Sequence, residues 1–328
     1  MKAWQLKDSG SIDNLEWKDV DDLHASSGEL LVKVFSTALN PVDYQLIESG
    51  HPKWNYPHIP GVDLSGEVLE VGEGVEGFEV GERVAIHTDM SKPGAFAEQA
   101  VVNASAAAKI PDGVSFDEAA AILCAGMTAY QAVIQKLNAA EKETILVHGG
   151  SGGVGGFAVQ LAKKLGHTVF TTASKESHDR VKALGADLAI DYKDEDVTNR
   201  IMEETEDAGV DLIFNTVSSE EATADLDRLA FSGQLAYIAG APDTSDVKPF
   251  TLSPSIHEVA LGAAHASGSR KAVDNLAHMA NELMARLSED DLDPVIDKVL
   301  SREALPEGLK MLKQNETDGK VIVRMQAE

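Results

Sequence analysis

The stretch from Thr144 to Gly166, TILVHGGSGGVGGFAVQLAKKLG, constrains this chain more than any other. An apolar run, Ile145-Leu146-Val147, stops at a cluster of glycines. An amphipathic run from Phe157 to Ala162 follows and leads to Gly166, a residue suited to ending a helix. Strand, tight turn and helix in that order form the opening unit of a dinucleotide-binding fold. Gly150, Gly152 and Gly155 fit G-x-G-x-x-G, with Ser151, Gly153 and Val154 between them. In that pattern the first glycine permits the turn, the second lets a pyrophosphate approach the backbone, and the third lets helix pack on strand. The helix N-terminus adds free N–H groups and a partial positive charge for the phosphates.

A glycine turn alone often only punctuates a chain, so its surroundings decide. A second apolar run, Thr168 to Ala173, begins just past Gly166, and Leu184-Gly185-Ala186-Asp187 closes another helix-length segment. Further strand-like runs stand at Leu188–Ile190, Val210–Phe214 and Gln234–Ile238. Strands alternating with helices predict an α/β domain with a doubly wound parallel sheet.

Composition narrows the possible partners. The chain has 328 residues, enough for two domains, and 54 acidic against 28 basic side chains give a formal net charge of −26. Such a surface repels phosphate backbones and anionic bilayers, which argues against nucleic acid and membrane as partners. The single cysteine, Cys124, excludes an internal disulfide and a cysteine-based zinc lobe; its apolar neighbourhood reads as that of a buried structural thiol. No apolar signal region opens the chain and no run approaches membrane-spanning length, so a cytoplasmic location is expected.

Residues 1 to about 110 read as mostly β, with a strand at Glu29–Phe35 and hairpin spacing of valine and glycine over Gly66–Val84. Between them, Asn40 before Pro41 predicts a helix start, N-cap then first helical position, with Gly50 as its stop. Asp43 and Tyr44 then fall in the first turn. A proline-rich loop follows, with Trp54 and Tyr56 among Pro52, Pro57 and Pro60. Ser115 to Glu118 reads as a capping box opening an alanine-rich helix. The last segment combines an amphipathic helix with short strands at Val295–Leu300 and Val321–Val323.

The chain resembles the medium-chain dehydrogenase/reductase superfamily, specifically its zinc-independent quinone oxidoreductase and alkenal/enone reductase branch. The resemblance rests on Leu39-Asn40-Pro41-Val42-Asp43, Pro60-Gly61-Val62-Asp63-Leu64-Ser65-Gly66, Gly81-Glu82-Arg83-Val84, Ala125-Gly126-Met127-Thr128-Ala129, the glycine turn and Gly319-Lys320-Val321. It implies a GroES-like, mostly-β catalytic domain over residues 1–123 and a Rossmann dinucleotide-binding domain over 124–260. Residues 261–328 would return to complete the first. Zinc-dependent relatives carry cysteine where this chain has Asn40 and a His-Glu pair where it has Val62-Asp63, so no metal is expected: catalytic zinc needs three protein ligands.

The cofactor is read partly from residues and partly from the resemblance. A domain selective for NAD carries Asp or Glu about 20 residues past the glycines. Here the second strand ends Thr172-Ala173-Ser174-Lys175, offering a hydroxyl and a cation, as the 2′-phosphate of NADPH requires. Arg180 is a further candidate, with a solvated helix residue as its alternative. The resemblance implies that Tyr192 lies against the adenosine phosphate. It further implies that Asn40, Thr128, Thr216, Val217, Ala239 and Gly240 surround the nicotinamide. Asn40 reads equally as a plain N-cap and Thr128 as a helix cap. Tyr44 is the side-chain candidate for polarising a carbonyl without zinc, with a structural aromatic as its alternative. Asn40 stands beside it as a second catalytic candidate, and Trp54 and Tyr56 with Tyr44 as substrate-pocket walls. The implied function is NADPH-dependent reduction of quinones or α,β-unsaturated carbonyls. The alternatives are an alcohol dehydrogenase-type carbonyl reductase and an NADPH-binding regulatory protein without turnover. Relatives pair through the last Rossmann strand, placed here near Gln234–Ile238, and a homodimer is the expected assembly.

Overall fold

The computed structural model describes residues 1–137 and 143–326. The chain divides into two compact units, Met1–Met127 with Leu261–Glu328, and Thr128–Ala260. The first division falls after Met127 rather than after residue 123. Cys124 lies in a π-helical turn, Ile122–Gly126, and its N–H is bound to the carboxylate of Asp63, which holds it in the first unit.

In chain order the first unit opens with strands β1 (Lys2–Leu6), β2 (Leu15–Asp19), β3 (Glu29–Leu39), β4 (Asp63–Val71), β5 (Arg83–His87), β6 (Gln99–Asn103) and β7 (Ala107–Lys109). The second unit holds β8 (Thr144–Val147), β9 (Thr168–Ala173), β10 (Leu188–Asp191), β11 (Val210–Asn215), β12 (Leu229–Tyr237) and β13 (Ser255–Glu258). β14 (Ile296–Ser301) and β15 (Lys320–Arg324) then complete the first.

β3 is the spine of the first unit. Its apolar, β-branched-rich sequence suits a strand buried along most of its length. One side pairs with β4; the other pairs with β6 along Glu29–Lys33 and with β15 along Ser36–Leu39. The sheet runs β14-β15-β3-β4-β5-β7. The helix Phe116–Ala121 starts at the expected capping box: Ser115 Oγ accepts from Glu118 N at 3.2 Å, and Glu118 accepts from Ser115 N at 2.7 Å. Its small residues Ala120 and Ala121 pack on Ala38 and Ile322 of the sheet. The long helix Arg270–Ser288 buries Leu276, Met279, Ala280, Leu283 and Leu287, the three- and four-residue spacing that makes one apolar face.

The second unit is one parallel sheet, ordered β10-β9-β8-β11-β12-β13, as the alternation of strands and helices predicts. β8 runs first and is flanked by β9 on one side and β11 on the other, so the sheet order reverses at its carboxyl end. That reversal is where open α/β sheets place ligands. One expectation needs correction. Gln234–Ile238 is not the outer strand, because β13 pairs beyond it in parallel register, Leu235 opposite Ile256. β13 reads Ser-Ile-His-Glu, too short and too polar to show as a strand in sequence. Among the described residues no helix is long and apolar enough to cross a membrane.

Candidate active site

The glycine turn leaves β8 and enters the helix Gly153–Lys164, with Gly152 as its N-cap. The division of labour among the glycines differs from the sequence reading. The left-handed backbone is at Gly149, φ +68°, rather than at Gly150. Gly150 is required for another reason: a Cβ there would lie 2.1 Å from Thr171 Oγ1. At Gly155 a Cβ would lie 2.1 Å from the Gly149 carbonyl oxygen, so this residue does let the helix approach the turn. At Gly152 a Cβ would meet only that same oxygen, at 3.4 Å. Ser151, Gly152, Gly153 and Val154 are partly open at the mouth of this turn. A cradle of backbone without side chains, at the start of a three-turn helix, fits a pyrophosphate.

The ends of β9 and β10 supply the neighbouring groups. Ala173 is in register with Asp191, so Ser174 and Tyr192 follow neighbouring strand ends, and Lys175 opens the turn after Ser174. Tyr192 is exposed, and Lys193 stands 5.9 Å from its ring centre. Lys193 is a second cation that the sequence reading missed. It missed Glu176 as well: hydrogen bonds from its own backbone N–H and from the Ser174 hydroxyl, and then the charges of Lys193 and Lys175, hold this exposed carboxyl below the usual range. β9 itself ends without an acid, whereas the turn after it carries one.

On the other side of β8, Asn215 Oδ1 accepts from the N–H groups of Val217 and Ser218 at 2.9 and 3.3 Å, shaping the turn after β11. Thr216 Oγ1 donates to the His148 carbonyl at 2.8 Å, and Val217 is 54 % exposed. After β12, Ala239 leads to Gly240, at φ +125°, and Ser219 Oγ donates to the Ala241 carbonyl at 2.5 Å. The two turns are thus tied together. Thr128, buried, lies in the helical turn Met127–Tyr130 at the opening of this unit.

In the first unit the helix Pro41–Ser49 begins after Asn40 and stops at Gly50, as its sequence predicts. Asn40 itself is buried and committed to protein partners. Its Nδ2 donates to the Ala38 carbonyl at 3.0 Å and to Asp63 Oδ2 at 2.8 Å, and its Oδ1 accepts from Lys320 Nζ at 2.6 Å. Asp43 Oδ2 accepts from Asn40 N at 2.8 Å and Oδ1 from Val62 N at 3.1 Å. Burial, and then the neighbouring Asp63, push the Asp43 carboxyl up to about 7 against the pull of these N–H groups and Lys320. Lys320, brought in by β15, is a buried cation that also binds the Leu39 carbonyl at 3.0 Å.

Tyr44, next along that helix, is half-buried, and its hydroxyl has no hydrogen-bond partner among the described residues. The proline loop divides its aromatics. Trp54 is buried, stacks on His58 at 4.0 Å between ring centres, and donates Nε1–H to the Met90 carbonyl at 2.7 Å. Tyr56, 39 % exposed, meets the edge of Trp54 and is the accessible one of the pair. Trp54 anchors the loop.

Asp63, His87 and Cys124 place ligand-type atoms within 4.8 Å of one another. Cys124 is half-buried there, not the buried thiol that its apolar neighbours suggest, and its N–H meets the Asp63 carboxylate. These residues do not fit a catalytic zinc as they stand. The Asp63 carboxylate is filled by donors from Asn40, His87 Nδ1 (2.8 Å) and Cys124 N. Asn40 and Val62, the positions that the resemblance in sequence assigns to zinc ligands, are not zinc-ligand residue types.

Two sequence families match the chain: residues 26–112 match the alcohol dehydrogenase GroES-like domain, and residues 153–269 match zinc-binding dehydrogenase. The 2-methylene-furan-3-one reductase of Solanum lycopersicum is 31 % identical over 338 residues, covering 98 % of this chain and 79 % of that one. The quinone oxidoreductase of Pseudomonas syringae pv. Tomato DC3000 superimposes with a TM-score of 0.88 at 29 % identity, covering 98 % of this chain and 99 % of that one. A mycobacterial protein solved in complex with NADPH superimposes with a TM-score of 0.86 at 26 % identity, covering 99 % of this chain and 100 % of that one. The chain belongs to the medium-chain dehydrogenase/reductase superfamily, in its quinone oxidoreductase and enoyl reductase branch.

Proposed function

We propose that this protein is an NADPH-dependent, zinc-independent oxidoreductase acting on quinones or α,β-unsaturated carbonyls. One observation carries the reading: a bare glycine cradle at the switch point of the parallel sheet, with Ser174, Lys175 and Tyr192 at the ends of β9 and β10. The NADPH-bound mycobacterial neighbour and the named quinone and furanone reductases support it. When bound, the reduced nicotinamide supplies the hydride that adds to the β-carbon of the acceptor.

The chain's own residues have the remaining tasks. Gly152 and the N–H groups at the start of helix Gly153–Lys164 hold the pyrophosphate; Lys175, with Lys193 beside it, faces the 2′-phosphate. Tyr44, whose hydroxyl is unspent, donates to the carbonyl oxygen as negative charge gathers there and passes its proton toward the α-carbon. Asn40 acts through position: by joining Lys320, Asp63 and the helix start, it fixes the helix that carries Tyr44. Thr128, Thr216, Val217, Ala239 and Gly240 border the nicotinamide, and Tyr56 borders the substrate.

The test is an NADPH-consumption screen across quinones, enals, enones and simple aldehydes, with and without a chelator. Turnover of quinones or enones, unchanged by the chelator, supports the proposal. Turnover of aldehydes alone, or a chelator-sensitive rate restored by zinc, would replace it with an alcohol dehydrogenase. Dinucleotide binding without turnover of any acceptor would leave a regulatory protein.

A further inference from the structure

Beneath the dinucleotide cradle lies a buried polar chain that the proposed reaction does not use. His148 immediately precedes the glycine turn and is 2 % exposed. Its Nε2 lies 2.8 Å from Asp225 Oδ1, and its Nδ1 lies 3.3 Å from Thr172 Oγ1. Thr172 Oγ1 in turn accepts from Gly149 N at 3.0 Å. Asp225, wholly buried, also accepts from Asn215 Nδ2 at 2.7 Å and Arg228 Nη1 at 2.8 Å, while Arg228 reaches Glu221 as well. Around the ring, Gly149 N–H donates to Thr172 Oγ1 and Nε2–H donates to the Asp225 carboxylate, while Nδ1 and the Thr172 hydroxyl bond each other; Nδ1 also lies 4.0 Å from Glu221 Oε1.

This chain ends at three turns at once: the glycine turn through Gly149, the end of β9 through Thr172, and the turn after β11 through Asn215, which holds Val217 and Ser218. We infer that His148, Thr172 and Asp225 are positioning residues that set dinucleotide affinity by locking those three turns into one rigid bed. A loose bed must be ordered by the ligand, and that ordering is taken out of the affinity. The inference rests on the proposed dinucleotide site.

Thr172→Val keeps the side-chain shape and removes the link between Gly149 and His148, so that Gly149 N–H and His148 Nδ1 each lose a hydrogen bond. The test measures the NADPH dissociation constant of the full chain, with Asp211→Asn as the control. Asp211 Oδ2 accepts from Glu143 and Thr144 at the opposite end of β8, so its loss weakens the same sheet away from the cradle. Thr172→Val and His148→Gln should raise the constant by about tenfold or more. Thr172→Ser should restore it, and Asp211→Asn should leave it unchanged. A folded Thr172→Val protein with wild-type affinity, or an equal loss in Asp211→Asn, overturns the inference and leaves the proposed function standing. A wild-type protein that binds neither NADPH nor NADH overturns both.

Discussion

Tyr44 sits on a helix whose start is held by buried polar bonds to Asn40 and Asp43, yet its own hydroxyl has no hydrogen-bond partner among the described residues. Removing one donor to a developing oxyanion costs about 2.7–4 kcal/mol of transition-state stabilisation. Tyr44→Phe should therefore lower kcat about a hundredfold or more on the best acceptor, while NADPH affinity, measured by titration, stays near wild type. Full kcat in that variant would make Tyr44 a packing residue. At the ribose end, kcat/KM should favour NADPH over NADH about tenfold, the loss expected for one charged contact, and Lys175→Glu should erase the ratio. Glu176 stands among the same cations with the wrong sign for a phosphate. Glu176→Gln should tighten NADPH about two- to fivefold without affecting NADH, a change of the size that exposed charges produce; equal changes for both cofactors would contradict the placement. Asp43 gives a pH prediction. Its carboxyl is raised to about 7 in the fold from an ordinary value near 3.8. Between those limits the unfolded chain releases the proton that the folded one keeps, so this group's contribution to stability falls as pH rises from 4 to 7 and then levels off. The melting-temperature advantage of wild type over Asp43→Asn should shrink across that window; an advantage that grows instead would refute the shift.

The two ends of the glycine turn should respond differently to an added methyl group. Gly150→Ala forces a Cβ onto Thr171 Oγ1, which bonds the Val147 carbonyl and cannot swing away without losing that bond, at a cost of about 1–3 kcal/mol for overpacking. Gly152→Ala meets no comparable obstacle, so it should melt near wild type but bind NADPH more weakly. Calorimetry and a dinucleotide titration of the two variants separate the effects, and equal destabilisation would show that the cradle is not open. Much of this element was legible in sequence, since the switch from apolar run to glycines to amphipathic run has a single structural meaning in an alternating chain. The helix at Pro41–Ser49, the capping box at Ser115 and the limits of β9 were equally plain, because each rests on local chemistry. What sequence hid depends on pairing between distant segments. Lys320 meets Asn40 across 280 positions, His148 meets Asp225 across 77, and β13 exists only because β12 offers it an edge. His148 beside the glycines was the one signal that pointed toward its network.

As a whole molecule, the chain should pair with a second copy through the outer edge of the parallel sheet. β13 leaves one side of its backbone without a strand partner among the described residues, and Ile256 on it is 37 % exposed. Open strand edges are otherwise covered or charged. Sedimentation at micromolar concentration should show a dimer, and Ile256→Lys should shift it toward monomer; a wild-type monomer at that concentration would end the idea. The path of the chain carries a different consequence. β15 supplies half of one side of β3 and the cation beneath Asn40, yet it lies some 280 residues downstream of them. On a ribosome, residues 128–260 have every strand of their sheet in hand before Lys320 is made. The sheet whose strands begin the protein is therefore the last to have all of its strands made, while the sheet in the middle has its full set first.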